Sequence, residues 1–123
     1  MNIIDSSGWL EYFSDGPNAK HYIPPLNDPS SLIVPVITIY EVFKVVLRES
    51  AENEALQAVA AMQKGIIIDL NANLAMDASK LSRKHNLPMA DSIVLATARA
   101  HNCVIWTQNS DYQNFEGVNY FSK

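Results

Sequence analysis

Short apolar runs alternate along the chain with stretches in which apolar residues recur at helical spacing. The runs have the length of β-strands, and they cover residues 2–5, 32–37, 66–68, 103–107 and 118–121. The runs at 32–37 and 66–68 show no polar alternation, which indicates strands buried on both faces. Pro35 is expected to end the second of the five strands, because proline cannot donate to the hydrogen bonds of a sheet.

Helical periodicity fills the intervals between these runs. Ile39, Val42, Phe43, Val46 and Leu47 form a stripe that predicts a helix over residues 38–50. Ser6 or Ser7 is expected to cap a first helix that continues through Phe13. Further helices are predicted at 52–64, from Asn71 or Asn73 to Asn86, and at 90–101, where nearly every side is apolar. A short helix is predicted near 18–23 in irregular surroundings, since Pro24 and Pro25 disfavour a helix interior.

Strands that alternate with helices are typical of a parallel sheet covered on both faces. We therefore predict one domain over residues 1–123, with a three-layer α/β/α architecture and a central, mostly parallel sheet of four to five strands. In such folds, functional sites form at the carboxyl ends of the strands.

The composition narrows the possible functions. The 123 residues include 9 Lys and Arg against 13 Asp and Glu, for a net charge of −4. This balance argues against a protein held to nucleic acid by a basic surface, but not against an enzyme that acts on nucleic acid through metal ions. Cys103 is the single cysteine, no basic N-terminal leader is present, and no apolar stretch has the length of a membrane-spanning helix. We expect a soluble, cytoplasmic protein without a membrane partner.

Four carboxylates follow predicted strand ends or open predicted helices, and they are Asp5, Glu41, Asp91 and Asp111. The alternation of elements places all of them at one edge of the sheet. Carboxylates that lie close together raise one another's pKa, and a hard cation such as Mg²⁺ relieves their repulsion. One or two such ions can activate water for the displacement of a phosphodiester.

Each acid also has a simpler interpretation. Thr38 and Glu41 match a capping box, in which Glu41 would bond the start of its own helix. Asp91 suits the positive end of a helix dipole, and Asp111 suits a turn. Asp5 is harder to explain in this way, because it follows two isoleucines at a strand end that should be buried.

The same residues lie in four ordered blocks, which read IIDSS from Ile3, TIYEV from Thr38, LPMADS from Leu87 and VIWTQNSDY from Val104. These blocks resemble PIN domains over essentially the whole chain, and most closely VapC-type toxins, the ribonucleases of toxin–antitoxin pairs. The resemblance implies a Mg²⁺- or Mn²⁺-dependent endoribonuclease, in which metal-activated water hydrolyses RNA. It also implies a cognate antitoxin and a homodimer. The apolar side of one helix fits a dimer face and fits plain burial equally well, and it comprises Tyr40, Val42, Phe43, Val45 and Val46.

The resemblance assigns roles to individual positions. Asp5, Glu41 and Asp91 match the three acids that the family keeps best, Ser7 matches a hydroxyl that supports the first acid, and Thr107 opens the last block. The family often has an acid where this chain has Asn109. Either Asn109 or Asp111 could supply the fourth group of the site. The cation would be held by Asp5, Asp91 and one of these two, with Glu41 as a further ligand or as the base that orients water. Neither the RNA target nor the number of ions is indicated.

Two other classes of protein remain open at this stage. A PIN fold weakened at Asn109 would bind a partner without cutting RNA. A phosphoacceptor receiver domain has a similar length, and Asp69 could mimic its acceptor, but no lysine follows the strand at 103–107.

Overall fold

A computed structural model describes all residues from Met1 to Lys123. The strands are β1 (Asn2–Ile4), β2 (Leu32–Pro35), β3 (Ile66–Ile68), β4 (Val104–Thr107) and β5 (Val118–Tyr120). The α-helices are α1 (Ser6–Phe13), α2 (Ile23–Leu26), α3 (Val36–Glu49), α4 (Glu52–Met62), α5 (Ala72–His85) and α6 (Met89–Ala100). Short 3₁₀ helices lie at Ala19–Tyr22, Pro29–Ser31 and Ser110–Tyr112.

The strands form one sheet in the order β3-β2-β1-β4-β5, and every neighbouring pair is parallel. This confirms the predicted sheet and differs from the 2-1-3-4-5 order of receiver-type folds, so the receiver alternative is wrong. Strands β2 and β3 lie on one side of β1, and the later strands β4 and β5 lie on its other side. The strand order reverses between β1 and β4, so the carboxyl ends of these two strands flank the position at which such folds place ligands.

The sheet is covered on both faces, which confirms the three-layer prediction. Successive residues of a strand point to opposite faces, and accordingly Ile3 packs in one buried cluster with Val94 while Ile4 packs in another with Trp9. Helix α6 is buried without interruption from Ser92 to Ala98, as its apolar pattern predicts.

Several predicted boundaries change for local reasons. Asp5, rather than Ser6 or Ser7, caps α1, because its carboxylate accepts from the Gly8 amide at 3.1 Å. Helix α3 begins at Val36 directly after Pro35, two residues before its predicted start. Strand β3 is a partly exposed edge of the sheet instead of a strand buried on both faces, because it pairs only with β2. Helix α4 ends at Met62, short of the predicted residue 64.

The segment before β2 also differs from expectation. The predicted helix at 18–23 is a 3₁₀ helix over Ala19–Tyr22, followed directly by α2. Pro24 and Pro25 lie in the first turn of α2, where a missing N–H breaks no helical hydrogen bond. Of the two possible caps of α5, Asn71 is used, since its side chain accepts from the Leu74 amide at 2.9 Å. The chain contains no helix that is both long and apolar enough to cross a membrane.

Candidate active site

Four acidic side chains lie at the carboxyl edge of the sheet, and they are called the acidic cluster below. Asp5 follows β1 directly, Glu41 lies in the second turn of α3, Asp91 lies in the first turn of α6, and Asp111 lies in the 3₁₀ helix after β4. The helices that start at this edge and the strands that end there thus bring together residues 106 positions apart in sequence.

Tyr112 is buried beside the acidic cluster. Its ring is 1 % exposed, and its hydroxyl donates to the main-chain carbonyl of Asp91 at 3.2 Å. Burial raises the pKa of Tyr112 well above its ordinary value, and the negative charges of all four acids raise it further. The hydroxyl therefore stays protonated and serves as a hydrogen-bond donor beside the acidic cluster.

Asp5 is the most deeply buried of the acids, with 3 % of its surface exposed. Burial raises its pKa from 3.8 to about 6, although hydrogen bonds to the carboxylate lower it. The strongest of these comes from the Ser7 hydroxyl at 2.7 Å, and the Gly8 amide adds a second. No basic side chain is paired with Asp5, and the one ion pair of the chain joins Arg48 to Glu49.

Asp91 and Asp111 are both hydrogen-bonded to Asn109. Burial, followed by the contact with Asp111, raises the pKa of Asp91 to about 7. Asn109 donates from Nδ2 to Asp91 Oδ2 at 3.3 Å and accepts on Oδ1 from the Asp111 amide at 3.0 Å. The second bond fixes the orientation of the amide group, so Asn109 presents its nitrogen rather than its oxygen to Asp91.

Glu41 does not cap its own helix. Since α3 begins at Val36, Thr38 is an interior residue of that helix, and the predicted capping box is wrong. Burial raises the pKa of Glu41, and the neighbouring Ser6 hydroxyl at the start of α1 lowers it in part. The Thr38 hydroxyl is fully buried and has no hydrogen-bond partner. Asp91, by contrast, does lie at the start of its helix, as the dipole interpretation expects.

The predicted supporting residues form a chain of hydrogen bonds between the acids. Ser7 Oγ contacts Asp5 and lies 3.4 Å from Thr107 Oγ1. Thr107 Oγ1 in turn accepts from the Asn109 amide at 2.9 Å, and Asn109 reaches Asp91. Residues on α1, β4 and α6 are therefore linked through side chains that bear no charge.

Sequence reasoning missed Gln108, which is 8 % exposed. Its main-chain amide donates to Ser7 Oγ at 3.3 Å, and its Oε1 accepts from Asn18 Nδ2 at 3.2 Å and from the Tyr22 hydroxyl at 3.5 Å. A signal was present, since a polar residue directly after a buried strand needs partners. Those partners lie about 90 residues earlier in the chain and could not be inferred from spacing.

The chemistry of the acidic cluster fits a divalent cation. Its donors are carboxylate oxygens, three of the four carboxyl groups have raised pKa values without a basic partner, and hard cations prefer such ligands. In this conformation no three Asp, Glu, His or Cys side chains converge closely enough to ligate one ion. Asp111 is exposed and Glu41 is only partly buried, so both side chains have room to rotate.

Solved structures with the same fold come from several bacteria. A toxin–antitoxin complex from Klebsiella pneumoniae aligns with a TM-score of 0.84 and 23 % identity over 100 % of both chains. Mycobacterium tuberculosis VapC20, described as a toxin that cleaves the sarcin–ricin loop, aligns with a TM-score of 0.77 and 15 % identity over 96 % of this chain and 98 % of that one. VapBC2 from Rickettsia felis, bound to a promoter DNA fragment, aligns with a TM-score of 0.74 and 12 % identity over 98 % of this chain and 97 % of that one.

Sequence comparison supplies the family. No curated protein matched the chain. The PIN domain family, however, matches residues 3–118, a span that contains β2, β3 and β4, parts of β1 and β5, and the whole acidic cluster. Because this match covers nearly the entire length, the chain belongs to the PIN domain family.

Proposed function

We propose that this protein is a metal-dependent endoribonuclease and the toxin of a toxin–antitoxin pair. The observation that carries the proposal is the acidic cluster at the switch point of the sheet, where carboxyls with raised pKa values lack any basic partner. Carboxylates held in this way are costly to ionise unless a cation joins them. The fold that the chain shares with toxins of toxin–antitoxin pairs supports the same conclusion.

Three residues of the cluster would hold the ion. Asp5 is fixed by Ser7 and Gly8, and Asp91 is fixed by Asn109, which leaves Asp111 as the third charged oxygen donor. A bound Mg²⁺ or Mn²⁺ would neutralise these carboxylates, activate a water molecule and stabilise charge on the phosphodiester. Asn109 is assigned a supporting role, since its oxygen is occupied by the Asp111 amide.

Glu41 is suited to accept a proton. It is partly buried, burial raises its pKa, and no basic side chain is paired with it. A general base works best when its pKa approaches the working pH. We assign Glu41 the role of orienting and deprotonating the attacking water, with RNA as the substrate.

The test is RNA cleavage by purified variants. Asp5→Asn and Asp91→Asn should each lower cleavage of total RNA with added Mg²⁺ or Mn²⁺ by at least about 100-fold, the scale of removing a preorganised charge. Asp77→Asn is the matched control, because Asp77 is exposed on α5 and outside the cluster. Unchanged cleavage by both cluster variants would refute the assignment.

Metal titration separates the enzyme from a weakened PIN fold that only binds a partner. Isothermal calorimetry on the wild type should show saturable binding of Mn²⁺ that Asp91→Asn reduces. No binding at millimolar Mg²⁺ or Mn²⁺, together with no cleavage, would favour the non-catalytic alternative.

An antitoxin is the proposed protein partner. A groove of about 950 Å³ lies between α1 and the pair α3–α4. Apolar side chains such as Phe13 and Val46 line it together with three glutamates, Glu11, Glu49 and Glu54. Such a lining fits an amphipathic segment with basic residues. Co-expression with the product of the neighbouring reading frame, followed by co-purification, tests this partner.

A homodimer is also proposed. Helix α3 leaves Tyr40 59 % exposed and Leu47 45 % exposed, whereas Val42 lies in the core and is unavailable to a partner. Sedimentation of the wild type and of Tyr40→Glu checks the assembly, with loss of the dimer expected in the variant.

A further inference from the structure

A polar cavity of about 350 Å³ opens beside the acidic cluster, and we call it the side cavity. Its lining residues are Ser7, Gln108, Asn109, Ser110, Tyr120 and Lys123. Ser7 and Asn109 also hydrogen-bond the carboxyls of Asp5 and Asp91. The side cavity therefore shares a wall with the acidic cluster while containing none of its carboxylates.

The side cavity is lined by hydrogen-bond donors. The Oε1 atom of Gln108 is occupied by Asn18 and Tyr22, which leaves the Nε2 amide protons of this buried side chain for another acceptor. Ser110 contributes a hydroxyl, and Lys123 contributes the only positively charged side chain of the lining. Donors and a cation without a carboxylate side chain suit an anionic ligand that is rich in acceptor oxygens.

Tyr120 adds an aromatic wall. It is in register with Thr107 on the neighbouring parallel strand, so the two side chains stand on the same face of the sheet. The Thr107 hydroxyl lies 3.4 Å from Ser7 Oγ, and Ser7 contacts Asp5. The side chains of Thr107 and Ser7 therefore lie between the partly exposed Tyr120 ring and the carboxyl of Asp5. Proteins that read single-stranded RNA stack unpaired bases on such rings.

We propose that the side cavity binds one nucleotide of single-stranded RNA, next to the phosphodiester that the acidic cluster hydrolyses. This inference rests on the proposed ribonuclease function and adds a substrate-positioning site to it. Tyr120 stacks on the base, Lys123 and Ser110 contact the phosphate and ribose, and Gln108 Nε2 donates to a remaining acceptor. The volume lies within the ordinary range of small-molecule sites.

Nucleotide binding can be measured without catalysis. The ¹⁵N-labelled wild type in EDTA is titrated with 5′-AMP, 5′-CMP, 5′-GMP and 5′-UMP separately, and the backbone amide shifts are followed by NMR. We expect saturable shifts at Ser110 and Tyr120 for at least one nucleotide. Tyr120→Ala should weaken binding by about 5- to 150-fold, the range of base–aromatic stacking, while Tyr120→Phe retains it.

Tyr12→Ala is the matched control, because Tyr12 is an exposed ring that lines the other groove. It should leave the affinity unchanged. Shifts confined to other parts of the protein, or equal affinities of the wild type and Tyr120→Ala, would overturn the proposal.

Two comparisons separate the side cavity from the ribonuclease function. A single-stranded tetraribonucleotide should bind more tightly than any mononucleotide, and equal affinities would assign the cavity to a free nucleotide and overturn the RNA proposal. In cleavage assays Tyr120→Ala should raise KM more than it lowers kcat. Nucleotide binding by a wild type that cuts no RNA would support the cavity and count against the ribonuclease.

Discussion

Replacing Asp5 by Asn should stabilise the metal-free protein at neutral and alkaline pH. Burial raises the pKa of Asp5 from 3.8 to about 6, so the folded state holds its proton more tightly than the unfolded state. Asparagine has nearly the same shape, is also a preferred N-cap, and its oxygen can still accept from Ser7 or Gly8. The substitution therefore removes the charge and leaves the helix cap in place.

The sign and size of this difference in stability follow from proton linkage. Well below pH 3.8 both states are protonated, and Asp5 does not lower the free energy of unfolding. Between pH 4 and 6 the unfolded state releases its proton first, so the wild type loses stability as the pH rises. The rise of the pKa to about 6 corresponds to a loss of about 3 kcal/mol, since one pH unit is worth about 1.4 kcal/mol. The new amide protons of asparagine offset part of this gain. We therefore expect the free energy of unfolding of Asp5→Asn to exceed that of the wild type by about 2 kcal/mol at pH 8 and to be about equal at pH 4.

Urea denaturation in EDTA, followed by circular dichroism at pH 4, 5, 6, 7 and 8, measures this difference. Asp91 titrates in the same direction, because its pKa is also raised, so the wild-type curve alone would mix the two groups. Subtracting the variant from the wild type isolates Asp5, and Asp77→Asn should reproduce the wild-type profile. A difference that is the same at pH 4 and at pH 8 would refute the reasoning. Added Mn²⁺ should stabilise the wild type more than Asp5→Asn, because only the wild type retains all the proposed ligands.

Three further substitutions test single contacts. Gly8→Ala places a Cβ 2.5 Å from a ring carbon of the fully buried Tyr22, so a loss of about 1–3 kcal/mol in urea unfolding is expected, and a gain would contradict the packing. Thr38→Val removes a buried hydroxyl that lacks a partner, and thermal unfolding should show a gain of about 1 kcal/mol, whereas a clear loss would mean that the hydroxyl is bonded. Asn109→Asp replaces the donor to Asp91 with a further carboxylate, so the melting temperature in EDTA at pH 8 should fall and Mn²⁺ should restore it. Equal melting temperatures of wild type and Asn109→Asp in EDTA would contradict that arrangement.

The grouping of the candidate site residues followed largely from local sequence pattern. Helical periodicity and short apolar runs are properties of neighbouring residues, so they located α3, α6 and the strands to within a few positions. Errors arose where neighbours compete for the same role, as when Asp5 rather than Ser6 or Ser7 capped α1. Once strands and helices alternate, the acids at strand ends and helix starts must gather at one edge, and this is why Asp5, Glu41, Asp91 and Asp111 could be grouped from sequence.

The tertiary structure decided everything that depends on contacts between distant segments. The strand order β3-β2-β1-β4-β5 is set by how the layers pack, and it excluded the receiver fold that length and alternation had left open. The orientation of Asn109 depends on hydrogen bonds to Asp91, 18 positions away, and to the Asp111 amide. This orientation is the reason that Asp111 rather than Asn109 is the proposed ligand. The roles proposed for Gln108 and Tyr120 depend on partners that lie on other elements. Hydrogen bonding and burial are determined by which residues are close in space, whereas a single sequence gives only which residues are close along the chain.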